Sequence, residues 1–280
     1  MINEILDKVV RLLEEVRAKK PLVHSITNYI TATDCANVIL AVGGSPTMAD
    51  YVKEVEEIAS ISSAVVLNMG VISDGMVESM ILAGKSANKN NVPVIFDPVG
   101  AGVANFRNES AEKILSEVKI DIIRGNISEI KFICGLSSET KGVDASESDM
   151  NMGNDKKAIV AQELAKKLNC VVAITGVDDI ISDGKRNVIL SNGHKMLANV
   201  TGTGCMSSAL CGAFAGASND YFIAAICAIL TMGISGEIAY EKSKGIGMGT
   251  FHTSLIDAIS MMNENIIKEK AKAKVTTINR

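Results

Sequence analysis

The stretch VTGTGC, Val200 to Cys205, runs directly into the apolar sequence MSSALCGAFAGA. Gly202 and Gly204 permit a tight turn whose backbone N–H groups point at one spot, and such a turn at a helix start favours an anion. No lysine follows, so the stretch is not the ATP-binding loop GxxxxGK[ST]. It is not GxGxxG behind an early strand either, which disfavours a Rossmann dinucleotide site. The plainer reading is an ordinary glycine-rich start to a buried helix. Cys205 stands where a phosphate-handling enzyme could place a carboxylate base. It is open as a catalyst, a redox thiol or a small buried residue.

Three other stretches carry groups of the same kind. In RGNISEI, Arg124 follows a buried run, Asn126 or Ser128 can cap the next helix, and Glu129 falls in its first turn. Glu129 either complements the helix dipole or holds a magnesium-bound water, with Arg124 gripping a phosphate bidentately. In FDPVGAG, Asp97 precedes Pro98. It either fixes a turn or helps bind a metal or a substrate hydroxyl. In AITG, Thr175 offers a hydroxyl beside a glycine, suited to a nucleotide phosphate. Near the N-terminus, His24, Ser25, Thr27, Asn28, Thr31, Thr33 and Asp34 crowd small polar groups ahead of a helix over 35–42. His24 reads as a structural residue or a catalytic base. Met48 reads as core filler or as an apolar wall for an aromatic substrate.

These groups need elements to hold them. Short apolar runs at 64–70, 92–100, 120–126 and 170–176 alternate with helical patterns at 73–90, 109–118, 128–135 and 158–169. The alternation predicts parallel strands joined by right-handed crossovers. Ligands of open α/β sheets bind beyond the carboxyl ends of the strands, so NMG, DPVG, RGN and ITG are expected to converge on one edge. Residues 178–184 and 187–193 read as a hairpin with a DG turn. From VTGTGC to about residue 270 the pattern is helical. Residues 1–20 read as an amphipathic helix. The segment 137–155 is polar, without apolar periodicity, and reads as a functional flap or an insertion.

The composition bounds the function. With 280 residues, 47% of them hydrophobic, the chain can bury a large core, in one domain or at most two. A net charge of −4 argues against nucleic acid, and the basic run KEKAKAK, 268–274, reads as a solvated helix end. The run YFIAAICAILTMGISG, 221–236, falls short of a membrane span of roughly 18–20 residues and reads, with 206–217, as two buried helices. The six cysteines form no CxxC pair, which disfavours a zinc site and leaves Cys205 without a redox partner in a motif. No secretory pattern opens the chain, so a cytoplasmic protein with reduced thiols is expected.

Taken in order, HSITNYITATDCANVILAVGGSPTMAD, VLNMG, FDPVGAG, RGNISEI, KGVDA, AITG and VTGTGC resemble the motif series of the hydroxyethylthiazole kinases, from about residue 20 to about 265. That family belongs to the ribokinase-like superfamily. The resemblance implies a single domain, a three-layer α/β/α sandwich with a mostly parallel sheet. It implies transfer of phosphate from ATP to the hydroxyl of 4-methyl-5-(2-hydroxyethyl)thiazole, a thiamine salvage step. It implies a homotrimer with the thiazole site between subunits; the net charge and the length of the apolar run already point to no nucleic-acid and no membrane partner. By motif, Arg124 and Thr175 match ATP contacts. Met48 and Gly202 match substrate contacts, with Asn28 a neighbour. Asp97 and Glu129 match acidic residues near Mg2+. Cys205 occupies the catalytic position where many ribokinase-like enzymes carry Asp. Relatives often read HCITN or HPITN where this chain reads HSITN, which leaves the role of Ser25 open. Three other readings compete: another small-alcohol kinase, such as one for hydroxymethylpyrimidine; an ATP-dependent dehydratase of damaged nicotinamide cofactors; and a non-catalytic nucleotide binder.

Overall fold

A computed structural model describes residues 2–136 and 152–276. Most of the polar segment 137–155, and the KGVDA motif within it, lie outside the described residues.

The strands are near-continuous apolar runs because both of their faces are covered. β1 (Leu22–Ile26), β3 (Ala64–Asn68), β4 (Val94–Asp97), β5 (Ile122–Asn126) and β6 (Val171–Thr175) form the centre of one sheet. β2 (Ser45–Thr47) flanks β1, and β7 (Asp179–Ser182), β8 (Asn187–Leu190) and β9 (Ala273–Thr276) complete the other side. The order is β2-β1-β3-β4-β5-β6-β7-β8-β9. All pairings from β2 to β6 are parallel, and the three beyond β6 are antiparallel.

Helices cover both faces, giving the expected three layers. On one side lie α1 (Ile2–Lys19), α2 (Ala32–Val42), α8 (Thr203–Ala215), α9 (Tyr221–Ser243), α10 (Met248–Ser260) and α11 (Glu264–Lys270). On the other lie α3 (Val55–Ile61), α4 (Asp74–Lys89), α5 (Asn105–Glu117), α6 (Ile127–Cys134) and α7 (Asn154–Leu168). α1 shows how the pattern works: Val9, Val10, Leu12, Leu13 and Val16 share its buried stripe, and its charges face water. α8 instead is buried from Met206 to Ala215, which its small residues allow. It packs on β1, β3, β4 and β5 and between α2 and α9, at the centre of the molecule.

Three features depart from the sequence pattern. β2 and β9 are edge strands of only three and four residues, too short for periodicity to mark. The basic run is only partly a helix end, since α11 stops at Lys270 and Ala273–Thr276 pairs with β8. α9 is one helix of 23 residues, because Glu237, Glu241 and Lys242 extend it beyond the apolar run. By length and composition it could cross a membrane, but 89% of its apolar window is buried inside the protein, as for a core helix.

Candidate active site

The parallel registers place the strand ends side by side. Asn68 pairs with Asp97, and Asn126 pairs with Thr175. The motifs NMG, DPVG, RGN and ITG therefore meet on one edge, and the N-terminus of α8 closes over them.

Arg124 sits at the centre. Its Nη2 donates to Thr175 Oγ1 at 2.6 Å, and its Nη1 lies 3.7 Å from Asp97 Oδ2. Gly204 lies flat against the guanidinium, so close that a methyl group there would come within 2.7 Å of Nη1. Only a glycine lets the loop descend this far. Burial works against the Arg124 charge, but Asp97 and Glu129 outweigh it and hold the guanidinium protonated.

Asp97 is fully buried, and its Oδ2 accepts from Asn68 Nδ2 at 2.8 Å and Ser208 Oγ at 2.6 Å. Its Oδ1 is buried with no partner among the described residues. Burial raises its pKa, opposed by Arg124, Ser208 and Asn68. Glu129 begins α6 in a capping box: Asn126 accepts from the Glu129 N–H, and Glu129 Oε2 accepts from Asn126 N at 2.8 Å. Its Oε1 accepts from Gly100 N at 2.8 Å, which ties the β4–α5 loop to α6. Burial and the Asp97 charge push its pKa up to about 7.

These residues test the fit of Mg2+. Among the described residues there is no group of three or more His, Cys, Asp or Glu that could hold a metal ion. Magnesium is ordinarily held by one or two carboxylates together with phosphate oxygens and water. The unpartnered Asp97 Oδ1 beside the Arg124 guanidinium meets that requirement. Glu129 has one N–H on each oxygen and retains lone pairs for a water.

Cys205 lies in the first turn of α8, part-buried, with Asn28 Nδ2 3.5 Å from its sulfur. Burial, then the Asp97 charge, raises its pKa against the pull of Thr31, Asn68 and Arg124. The resting side chain is a neutral thiol. All six cysteines are free. Gly202 caps α8 at φ +86° and packs on Thr31. Asn28 is buried and fully engaged: it donates to Asn68 Oδ1 at 2.9 Å and accepts from Thr31 N at 3.2 Å.

Arg124, Thr175, Asp97, Glu129, Cys205, Gly202 and Asn28 thus come together. Met48 follows the edge strand β2, whose Thr47 pairs in parallel with His24 of β1, so it lies on the same edge of the sheet and packs on the core. His24 is buried, its Nε2 is 2.7 Å from Ala49 O, and burial lowers its pKa, which fits the structural reading.

Sequence reasoning missed four residues at the site. Asn68 and Ser208 hold Asp97. Asp179 accepts from Gly176 N at 2.9 Å and shapes the ITG turn, with its pKa pushed up to about 7 by burial. Arg107 donates to the carbonyls of Met69, Gly70 and Val99 and so clamps two site loops. Asn68 was visible at a strand end. The others carry no local signal.

Comparison with known proteins gives the family. A sequence model described as "Hydroxyethylthiazole kinase family" matches residues 13–265. The chain is 99% identical to a hydroxyethylthiazole kinase of Clostridium botulinum (strain Eklund 17B / Type B), over the whole of both chains. It is 61% identical to one of Clostridium beijerinckii, covering 98% of this chain and 99% of the relative. Among solved structures it is similar to the hydroxyethylthiazole kinase protein of Pyrococcus horikoshii OT3, with TM-score 0.87 and 36% identity over 97% of this chain and 100% of that one. The pyridoxal kinase of Staphylococcus aureus, solved with pyridoxal, shares the fold at TM-score 0.61 and 18% identity, covering 92% of this chain and 98% of its own.

Proposed function

The chain belongs to the hydroxyethylthiazole kinase family, and on that premise we propose that it transfers the terminal phosphate of ATP to the hydroxyl of 4-methyl-5-(2-hydroxyethyl)thiazole, with the whole chain acting as one catalytic domain. The observation that carries this reading is the Arg124 guanidinium, bonded to Thr175 and lying against the Gly204 backbone at the N-terminus of α8.

Phosphoryl transfer needs mainly positioning and charge neutralisation. Arg124 and Thr175 hold the ATP phosphates. The N–H groups of Gly202 to Cys205 stabilise the transferring group, aided by the α8 dipole. Asp97 and Glu129 would hold Mg2+, which would supply charge neutralisation on the phosphate oxygens. Met48 and Gly202 border the thiazole, and Cys205 lies beside its hydroxyl. A neutral thiol is a weak base, and a loose transition state does not demand a strong one.

We read the active form as a homotrimer. Tyr29 and Ile30 follow Asn28 at the site and are 76% and 59% exposed. An exposed apolar rim at the site suits cover by a neighbouring subunit. Free thiols throughout suit a cytoplasmic enzyme.

The test is direct. The protein is incubated with magnesium, ATP and the thiazole alcohol, and ADP and the thiazole phosphate are measured, with hydroxymethylpyrimidine as competing acceptor. Preferential thiazole phosphate is expected. Pyrimidine phosphate instead, or binding without ADP, rejects the reading. Light scattering on the eluted protein reports the trimer.

A further inference from the structure

We propose that Asn68 and Ser208 are positioning residues that fix the Asp97 carboxyl with one oxygen free, and that Asn68 also couples this carboxyl to the acceptor side of the site through Asn28. The inference rests on the kinase reading and adds two residues to it.

Every partner of Asp97 converges on one oxygen. Asn68 Nδ2 and Ser208 Oγ both donate to Oδ2, at 2.8 and 2.6 Å, and Arg124 Nη1 is nearest the same atom at 3.7 Å. Oδ1 is left without a partner among the described residues, although Asp97 is fully buried. A buried carboxylate oxygen is costly to leave unpaired. Two donors on Oδ2 prevent the carboxyl from turning that oxygen toward them.

Asn68 has only one possible orientation. Its Oδ1 accepts from Gly70 N and from Asn28 Nδ2, each at 2.9 Å. A flipped amide would set its own N–H groups against two donors and remove the donor to Asp97. The Asn28 amide is held in turn by Thr31 N and lies beside Cys205 Sγ. A continuous path therefore runs Thr31–Asn28–Asn68–Asp97–Ser208, from the loop between β1 and α2 through the ends of β3 and β4 to α8. It is packed so tightly that a side chain at Gly70 would collide with both Asn28 and Asn68. Movement at the acceptor side is transmitted to the carboxyl through a single amide.

Three full-length variants test this: Ser208→Ala, Asn68→Asp and Asn68→Ala, each measured for kcat, KM for both substrates and thermal midpoint. Partners that hold a metal-ligating carboxylate, as the kinase reading makes Asp97, ordinarily contribute about 10- to 100-fold to metal affinity or activity. Ser208→Ala is expected to lower kcat by that amount with both KM values within about twofold. Asn68→Asp keeps the acceptor for Gly70 and Asn28, so the thiazole KM holds, but it sets a second carboxylate against Asp97 Oδ2. Its kcat is expected to fall at least as far. Asn68→Ala loses both functions, so kcat falls and the thiazole KM rises. Should it fail to fold, the first two variants carry the comparison alone. A kcat within about threefold of wild type in folded Ser208→Ala and Asn68→Asp, below the range such partners contribute, overturns the proposal while leaving the kinase reading intact. Losses that only track the fraction of folded protein overturn it equally. A wild type without turnover overturns the kinase reading and this one together.

Discussion

Gly202→Ala is the most informative single change at the phosphate loop. Gly202 caps α8 at φ +86°, where an L side chain costs about 1–2 kcal/mol. The added methyl would also lie 2.5 Å from Thr31 Cγ2 and 3.1 Å from Thr31 Cβ. Thr31 cannot simply withdraw: it is buried, its N–H is held by Asn28 Oδ1, and its carbonyl accepts from Cys35 N in α2. Overpacking of this kind adds about 1–3 kcal/mol. The total is about 2–5 kcal/mol, or about 4–10 °C in Tm at about 2 °C per kcal/mol for a chain of this length. Thr31→Ser deletes Cγ2 and keeps the hydroxyl, so it removes the clash but not the strained φ. A double-mutant cycle read by thermal unfolding separates the two. The double variant is expected to recover most of the overpacking and little of the strain, with thiazole KM recovering in parallel because Asn28 returns to place. Strict additivity of the two single changes would refute the claim that the loop rests on Thr31.

Other outcomes follow from the same geometry. Because Cys205 is a neutral thiol, Cys205→Ala should retain measurable turnover and Cys205→Asp should keep or raise it; complete loss in both folded variants rules out this account of the loop. Arg124→Lys keeps the charge but not the fork that reaches Thr175 and Asp97, so the ATP KM should rise at least about 10-fold with the thiazole KM little changed; an unaltered ATP KM removes Arg124 from the nucleotide site. Glu129 titrates at about 7 in the folded protein against an ordinary 4.5, so its contribution is fully present below pH 4.5 and lost as pH rises through 7. In the ligand-free protein, wild type should lose about 3 kcal/mol more stability than Glu129→Gln between pH 4.5 and 8. Denaturant unfolding at the two pH values measures it, and equal slopes of stability with pH would contradict the assignment.

The sheet and the strand-end site were legible because parallel strands advertise themselves as buried apolar runs that stop at Gly, Asn, Asp or Thr. Asp97, Arg124 and Thr175 could be read as neighbours from that rule alone, and the pairing of Asn68 with Asp97 and of Asn126 with Thr175 bears it out. Cys205 and Gly202 were legible because two glycines before an apolar helix are unusual. Ser208 was not: a serine inside an apolar helical run looks like filler, and its partner Asp97 is 111 residues away. Arg107 was hidden because carbonyl acceptors leave no trace in side-chain types. The short edge strands escaped for lack of length, and the neutral state of Cys205 required knowing how deeply α8 is set.

The central place of α8 has a consequence for how the protein is made. Six parallel strands, from β2 to β6, are synthesised before residue 203, yet one face of β1, β3, β4 and β5 is covered by α8, and α8 in turn by α9. A nascent chain emerging from the ribosome at about 5–20 residues per second therefore displays a bare apolar sheet face for several seconds. During that interval the exposed face is prone to aggregation unless a chaperone shields it. Truncation just before Val200 should leave a polypeptide that aggregates rather than a smaller stable fold.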